Sequence, residues 1–162
     1  MSRLASQLAE TTEKVNRFIE QVVDLEREPK LLYRAARHII DAGGKRLRPY
    51  LVLKSCKLVG GRERDAIPTA AAIELLHTFT LIHDDIMDQD EKRRGIATVH
   101  TKWDVPTAIV AGDVLFAKVY ETITGFTDPR RVPRESILQV LGCVSEATIA
   151  ICEGQTLDML FE

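Results

Sequence analysis

Cysteine is scarce in this chain and poorly placed for chemistry. Cys56, Cys143 and Cys152 are the three present in 162 residues. They lie in apolar, helix-like surroundings without metal-ligand spacing, which argues against a zinc site or a disulfide framework and predicts buried, reduced thiols. Charge of one sign is lacking too: the net charge is −2 and the pI about 6.1. A broad basic field is absent, and with it the usual basis for binding nucleic acid. No uninterrupted apolar run approaches the about 18 residues of a membrane span, and the opening MSRLASQLAETTEK has no signal-peptide core. These absences lead us to expect a cytoplasmic protein with no transmembrane segment. Strand-like alternation, internal repeats and low-complexity tracts are missing as well. What remains, at 45% hydrophobic content, is enough for one all-α domain with a real core.

Helical spacing and punctuation divide the chain into about six helices. Leu4, Leu8, Val15, Phe18, Ile19 and Val22 recur at helical steps and predict an amphipathic helix over residues 3–25. Pro29 opens a second, carried by Leu31, Leu32, Ala35, Ile39 and Ile40 and stopped by Gly43-Gly44, where a special backbone conformation is expected. Pro49 restarts a helix that Gly60-Gly61 ends. A long helix is expected over 63–90, with Pro68 in its first turns, and then a loop through EKRRGIATVHTKWD. Pro106 starts the next, with Gly112 inside it, a placement usually compensated by close backbone packing. After a turn around Asp128-Pro129, the last helix runs from Pro133 through EGQTLDMLFE without a stop signal.

The stretch HTFTLIHDDIMDQDEKRRG, residues 77–95, is the one that most needs explaining. Five acids fall within eight residues there, followed by Lys92, Arg93 and Arg94. On a helix, Asp84 and Asp88 share a face about 6 Å apart along the axis, and His77 and Thr80 lie on that face. Acids at a helix C-terminus oppose its dipole and repel each other at this spacing. A cation reverses the sign: Mg²⁺ takes oxygen ligands, commonly one or two carboxylates together with substrate phosphates. Arg93-Arg94 stands where guanidinium forks would meet such a phosphate. The bland alternative is a solvated helix end, which Leu75, Leu76, Leu81 and Ile82 oppose by burying the same helix.

A second constellation is GGKRLRP. Lys45, Arg46 and Arg48 follow the glycine pair directly, so that backbone amides and three cations converge on one anion. An ordinary basic turn is the competing account. Beside the Asp helix, a metal-free phosphate site next to a metal-dependent one points to two diphosphate substrates, with His77 within reach of the second.

Taken in order, GGKRLRP, HTFTLIHDDIMD, KRRG, AGD and EGQTLD resemble the trans-type isoprenyl diphosphate synthases, in particular the short-chain geranylgeranyl and farnesyl diphosphate synthases. The resemblance implies an all-α bundle that joins isopentenyl diphosphate to an allylic diphosphate. It implies that Asp84 and Asp88 bind Mg²⁺, with Asp85 supporting, and that Arg93 holds the allylic diphosphate. Lys45, Arg48, His77, Arg94 and the backbone near Gly44 would hold isopentenyl diphosphate. Gln155 and Asp158 would face the allylic site from a later helix. Phe79, about 7.5 Å below Asp84, and Thr80 would set the depth of the tail cavity, favouring a twenty-carbon product with farnesyl diphosphate next.

Family members run to nearly twice this length and carry a second Asp-rich motif that this chain lacks. The expectation is therefore the N-terminal portion of a synthase domain, with the C-terminal portion absent and little activity alone. It would be completed by the rest of a longer chain or a second polypeptide, in a dimer or higher oligomer. A non-catalytic subunit of a heteromeric synthase and a class I terpene cyclase-like fragment are the alternatives. The separate basic turn speaks against the cyclase.

Overall fold

A computed structural model describes residues 3–161. The helices are α1 (Arg3–Val22), α2 (Lys30–Asp41), α3 (Leu47–Leu58), α4 (Glu63–Met87), α5 (Val99–Lys102), α6 (Val105–Phe126) and α7 (Arg134–Phe161). Two two-residue strands, β1 (Lys92–Arg93) and β2 (Ile96–Ala97), pair antiparallel between α4 and α5. The fold is all-α, as expected. The stretch read as a plain loop contains this hairpin and the one-turn α5, a departure that matters below.

The punctuation acts as its chemistry predicts. Pro29 is the N-cap of α2, and Gly43, just past its end, takes φ +89. Asp104 caps α6 by accepting the Thr107 amide at 2.7 Å, with Pro106 in the first turn, where a missing N–H costs least. Helix α4 is the axis of the bundle, packing on α6, α3 and α1. Its Ala70-Ala71-Ala72 run is fully buried, so neighbouring backbones approach closely. Val15, Ile19, Ile39, Leu53, Leu75, Ile82, Leu115 and Val119 complete the core around it.

Helix α7 is different. Val144 is its one buried residue among those described, while Leu138, Ile149, Ile151, Leu157, Met159, Leu160 and Phe161 are exposed. By length and composition alone it would also pass for a membrane span, and only 6% of that window is buried in this chain. Its known packing partner is α6, and across a cleft it faces α4. The same bareness corrects the cysteine expectation: Cys143 and Cys152 are exposed and Cys56 only half-buried. Helical periodicity identifies a face for packing. It does not supply the neighbour.

Candidate active site

The acidic end of α4 begins with a division of labour. Asp84 and Asp88 are one turn apart, with Asp88 as the C-cap. Burial and then the Asp88 charge push the Asp84 carboxyl above its ordinary range. Two repelling carboxylates at one helix end are a poor resting arrangement and a good one for a divalent cation. No group of three or more His, Cys, Asp or Glu ligands is assembled among the described residues. The donor set thus fits a hard cation that shares its coordination with substrate phosphate and water, rather than a closed protein cage.

Asp85, one residue on, points elsewhere. It is fully buried, and its Oδ1 accepts from Arg93 Nε. Burial raises its pKa against the lowering effect of that bond. Its Oδ2 has no hydrogen-bond partner. Arg93 also approaches Asp90 Oδ2 at 3.6 Å, so its guanidinium is tethered beside the acidic cluster on the short hairpin. Arg94 and Gly95 form the tip of that hairpin with φ +52 and +82, the pair of left-handed residues a tight two-residue hairpin turn needs.

On the other side Arg94 Nη1 donates to the Gly43 carbonyl. A Cβ at Gly44 would lie 2.9 Å from Arg94 Nη1 and 3.1 Å from Arg46 Nη1, so a side chain there would push the ends of both arginines aside. Arg48 Nη1 sits 3.2 Å from His77 Nε2. A guanidinium can only donate, so Nε2 accepts and the His77 proton is on Nδ1. Burial, followed by the charges of Arg48, Arg94, Arg93 and Arg46, depresses the His77 pKa to about 4. The imidazole is thus neutral and lies in the field of four guanidinium groups, two of which, Arg46 and Arg93, are paired with Glu74 and Asp85. Lys45 is exposed.

One cation departs from the expected convergence. Arg46 is 2% exposed. Its Nη1 bonds Glu74 Oε1, its Nε bonds Asn16 Oδ1 and its Nη2 bonds the Ile40 carbonyl, each at 2.8 Å. It is a structural clamp between α1, α2 and α4 and does not present its fork to a ligand. Glu74 was the overlooked signal, a lone acid in the apolar run AAIELLH.

Beneath Asp84 lies a cleft of about 230 Å³ between α4 and α7, lined by Phe79, Thr80, His83, Asp84, Met87, Ile151 and Gln155 among others. The structure thus brings Phe79, Thr80 and Gln155 together with Asp84, while Asp158 is exposed and outside the lining. Phe79 stacks in an aromatic run with Phe116 at 5.1 Å, which in turn meets Tyr120 at 5.2 Å. His83, not anticipated, packs over Gly112 of α6: a Cβ there would lie 2.3 Å from His83 Nε2. The expected close approach at Gly112 is therefore real, and its partner is the residue preceding Asp84.

An acid in the lining of an apolar cleft, with a separate cluster of arginine and histidine side chains, is set in an all-α bundle. The polyprenyl synthetase family pattern matches residues 29–162, and the chain belongs to that family. It is 51% identical over 148 residues to a geranylgeranyl pyrophosphate synthase of Geoglobus acetivorans, spanning 91% of this chain and 45% of that protein. To a short chain isoprenyl diphosphate synthase of Methanothermobacter thermautotrophicus it is 50% identical over 146 residues, 90% of this chain and 43% of the relative. The solved geranylgeranyl pyrophosphate synthetase of Pyrococcus horikoshii superposes with a TM-score of 0.91 at 42% identity, covering 99% of this chain and 49% of that one. The chain spans about half the length of the relatives it matches.

Proposed function

We propose that this chain supplies the first Asp-rich half of a short-chain isoprenyl diphosphate synthase, a prenyltransferase that condenses isopentenyl diphosphate with an allylic diphosphate. The products would be geranylgeranyl diphosphate and farnesyl diphosphate. The carrying observation is the apolar cleft with both Asp84 and Phe79 in its lining, together with a separate cluster in which Arg48 and Arg94 surround His77. One substrate needs its diphosphate pulled away and the other must keep its own; two chemically different anion sites serve that need.

Asp84 and Asp88 would hold Mg²⁺, which when bound neutralises charge on the departing diphosphate. Arg93, presented by Asp85, would grip the same leaving group. Lys45, Arg48, Arg94, neutral His77 and the backbone at Gly44 would seat isopentenyl diphosphate. The allylic tail would descend past Thr80 toward Phe79, and the apolar walls would keep water from the cationic carbon. Gln155 would face the allylic site from α7.

The other half of the bundle, as the rest of a longer chain or a second polypeptide, would cover the bare face of α7 and add the second Asp-rich motif. That face also favours a second reading, a non-catalytic subunit that pairs with a complete synthase.

The deciding experiment supplies this chain, alone and with a C-terminal half from a family member, with Mg²⁺, an allylic diphosphate and radiolabelled isopentenyl diphosphate. Incorporation only in the combined sample is expected. Label in the isolated chain would refute the need for a second half, and no label in any soluble combination would favour the subunit. Hydrocarbon formed from a single diphosphate would mean a cyclase. In the active combination, Phe79→Ala should lengthen the product.

A further inference from the structure

Both arginines proposed to serve the two diphosphates sit on one six-residue hairpin: Arg93 on β1 and Arg94 at the turn. A non-glycine residue at φ +52 is a sparsely populated conformation that persists only where its surroundings enforce it. The enforcing contacts come from four directions. Arg93 is tied to Asp85 on α4, and Arg94 to the Gly43 carbonyl. At the base, the Thr98 hydroxyl donates to the Asp90 carbonyl at 2.8 Å and the Thr98 amide to the Glu91 carbonyl at 3.1 Å. The remaining contact belongs to a residue with no place in the diphosphate scheme: His38 of α2, whose Nε2 lies 2.8 Å from the Ala97 carbonyl.

The chemistry of that contact is determined. A carbonyl can only accept, so Nε2 carries the proton, which leaves Nδ1 to accept from Lys102 Nζ at 3.3 Å. Trp103 meets the imidazole edge-on, with centroids 5.2 Å apart at 89°, and the Lys102 ammonium lies 4.6 Å above the Trp103 ring. The ring is thereby fixed in tautomer, plane and position. Ala97 is the strand partner of Lys92, next to Arg93. Five residues beyond His38, the same α2 chain delivers the Gly43 carbonyl that receives Arg94.

We propose that His38 is a positioning residue for both diphosphate sites, latching the hairpin to α2 so that Arg93 and Arg94 are held at a fixed separation, one toward each substrate. The proposal rests on the diphosphate reading above. It adds that the two sites are mechanically joined: loosening the Ala97 carbonyl disturbs both arginines although neither touches His38.

The test uses the full chain with His38→Ala, His38→Gln and, as a control on the reading itself, Arg48→Ala. Glutamine places an amide N–H where the ring Nε2–H was. Three measurements are made on each: thermal melting, amide hydrogen exchange across residues 92–97, and calorimetric titration with inorganic pyrophosphate. The expected result for His38→Ala is faster exchange in the hairpin and about tenfold weaker pyrophosphate binding, the loss of one hydrogen bond's worth of affinity. His38→Gln should return both to within a few-fold of wild type. A general loss of packing would lower melting and speed exchange everywhere, and the Gln variant would not rescue it; that pattern overturns the latch. Unchanged hairpin exchange in His38→Ala overturns it too, as does faster exchange with unchanged binding. If wild type and Arg48→Ala bind pyrophosphate equally poorly, the diphosphate reading itself has failed and the latch, as a substrate-positioning device, falls with it.

Discussion

Replacing Gly112 by alanine sets two effects of opposite sign against each other. Inside an ordinary helix, alanine is favoured over glycine by about 1 kcal/mol. In α6, however, a Cβ at position 112 would stand 2.3 Å from His83 Nε2 and 2.5 Å from its Cδ2. The imidazole is poorly placed to retreat. Its Nε2–H donates to the Ile109 carbonyl at 3.2 Å, and the Phe79 ring abuts it at 4.7 Å between centroids. Overpacking of this kind costs about 1–3 kcal/mol, so the net change should be a destabilisation of up to about 2 kcal/mol, a fall in Tm of up to roughly 5 °C for a chain of this size. The decisive comparison is the same substitution in a His83→Ala background. With the ring gone, Gly112→Ala should stabilise by about 1 kcal/mol, giving a coupling of about 1–3 kcal/mol between the two positions. Thermal and urea unfolding of the four proteins, followed by circular dichroism, measures it. A stabilisation of equal size in both backgrounds would refute the close approach, and with it the idea that α6 sets the height of the residue preceding Asp84.

Three further outcomes follow from the site's electrostatics. Asp84→Asn removes one of two repelling carboxylates, so it should stabilise the metal-free chain by about 0.2–0.5 kcal/mol while abolishing the Tm rise that Mg²⁺ with pyrophosphate should produce in wild type. For an acid whose folded pKa is raised, as burial and Asp88 raise that of Asp84, the contribution to stability is present at low pH and lost as pH rises through that pKa. The Asn variant should therefore gain on wild type as pH climbs from about 3.8. His77 runs the other way: its folded pKa is depressed from 6.5 to about 4, so its contribution is complete above 6.5 and disappears as pH falls through that window. His77→Gln should flatten this part of the Tm-versus-pH profile, and an unchanged slope would contradict the arginine surround. Glu74→Ala strands the Arg46 guanidinium at 2% exposure and should cost about 3–5 kcal/mol in urea unfolding, whereas Lys45→Ala at an exposed position should cost almost nothing.

How far the fold and site could be read from residues alone depends on the range of the forces involved. Helix ends were legible because Pro29, Gly43-Gly44, Gly60-Gly61 and Pro106 act within a turn or two of where they stand. The pairing of Asp84 with Asp88 was legible for the same reason, since helical geometry fixes i and i+4. The inward turn of Arg46 was not: its direction is decided by Glu74, 28 positions away, and by Asn16, 30 positions away. The hairpin was hidden because one of its two central residues is Arg94, and only long-range contacts hold a side-chain-bearing residue at φ +52. Sequence order also grouped Asp84 with Asp85, although a 100° step around the helix sends the first to the cleft mouth and the second into the core against Arg93. The cysteines of α7 were misjudged because a pattern of apolar residues specifies a face and is silent on what meets it.

That silence bears on chemistry as well as packing. Burial already raises the pKa of Asp84, even though Ile151 and Met159 in the α7 wall of its cleft are exposed. An open cleft leaves water beside the very carbon that the proposed reaction would make cationic, and water is a faster trap for such a cation than a bound alkene held at the wrong distance. Covering α7 would strip that water and strengthen every charge interaction at the cleft mouth. The Asp84–Asp88 repulsion would then grow, making a divalent cation more necessary to the closed state than to the open one. Closure, metal uptake and protection of the intermediate would thus be three consequences of one burial event. Such coupling would offset, in the closed and metal-bound state, the repulsion that makes these acids unfavourable in the bare helix.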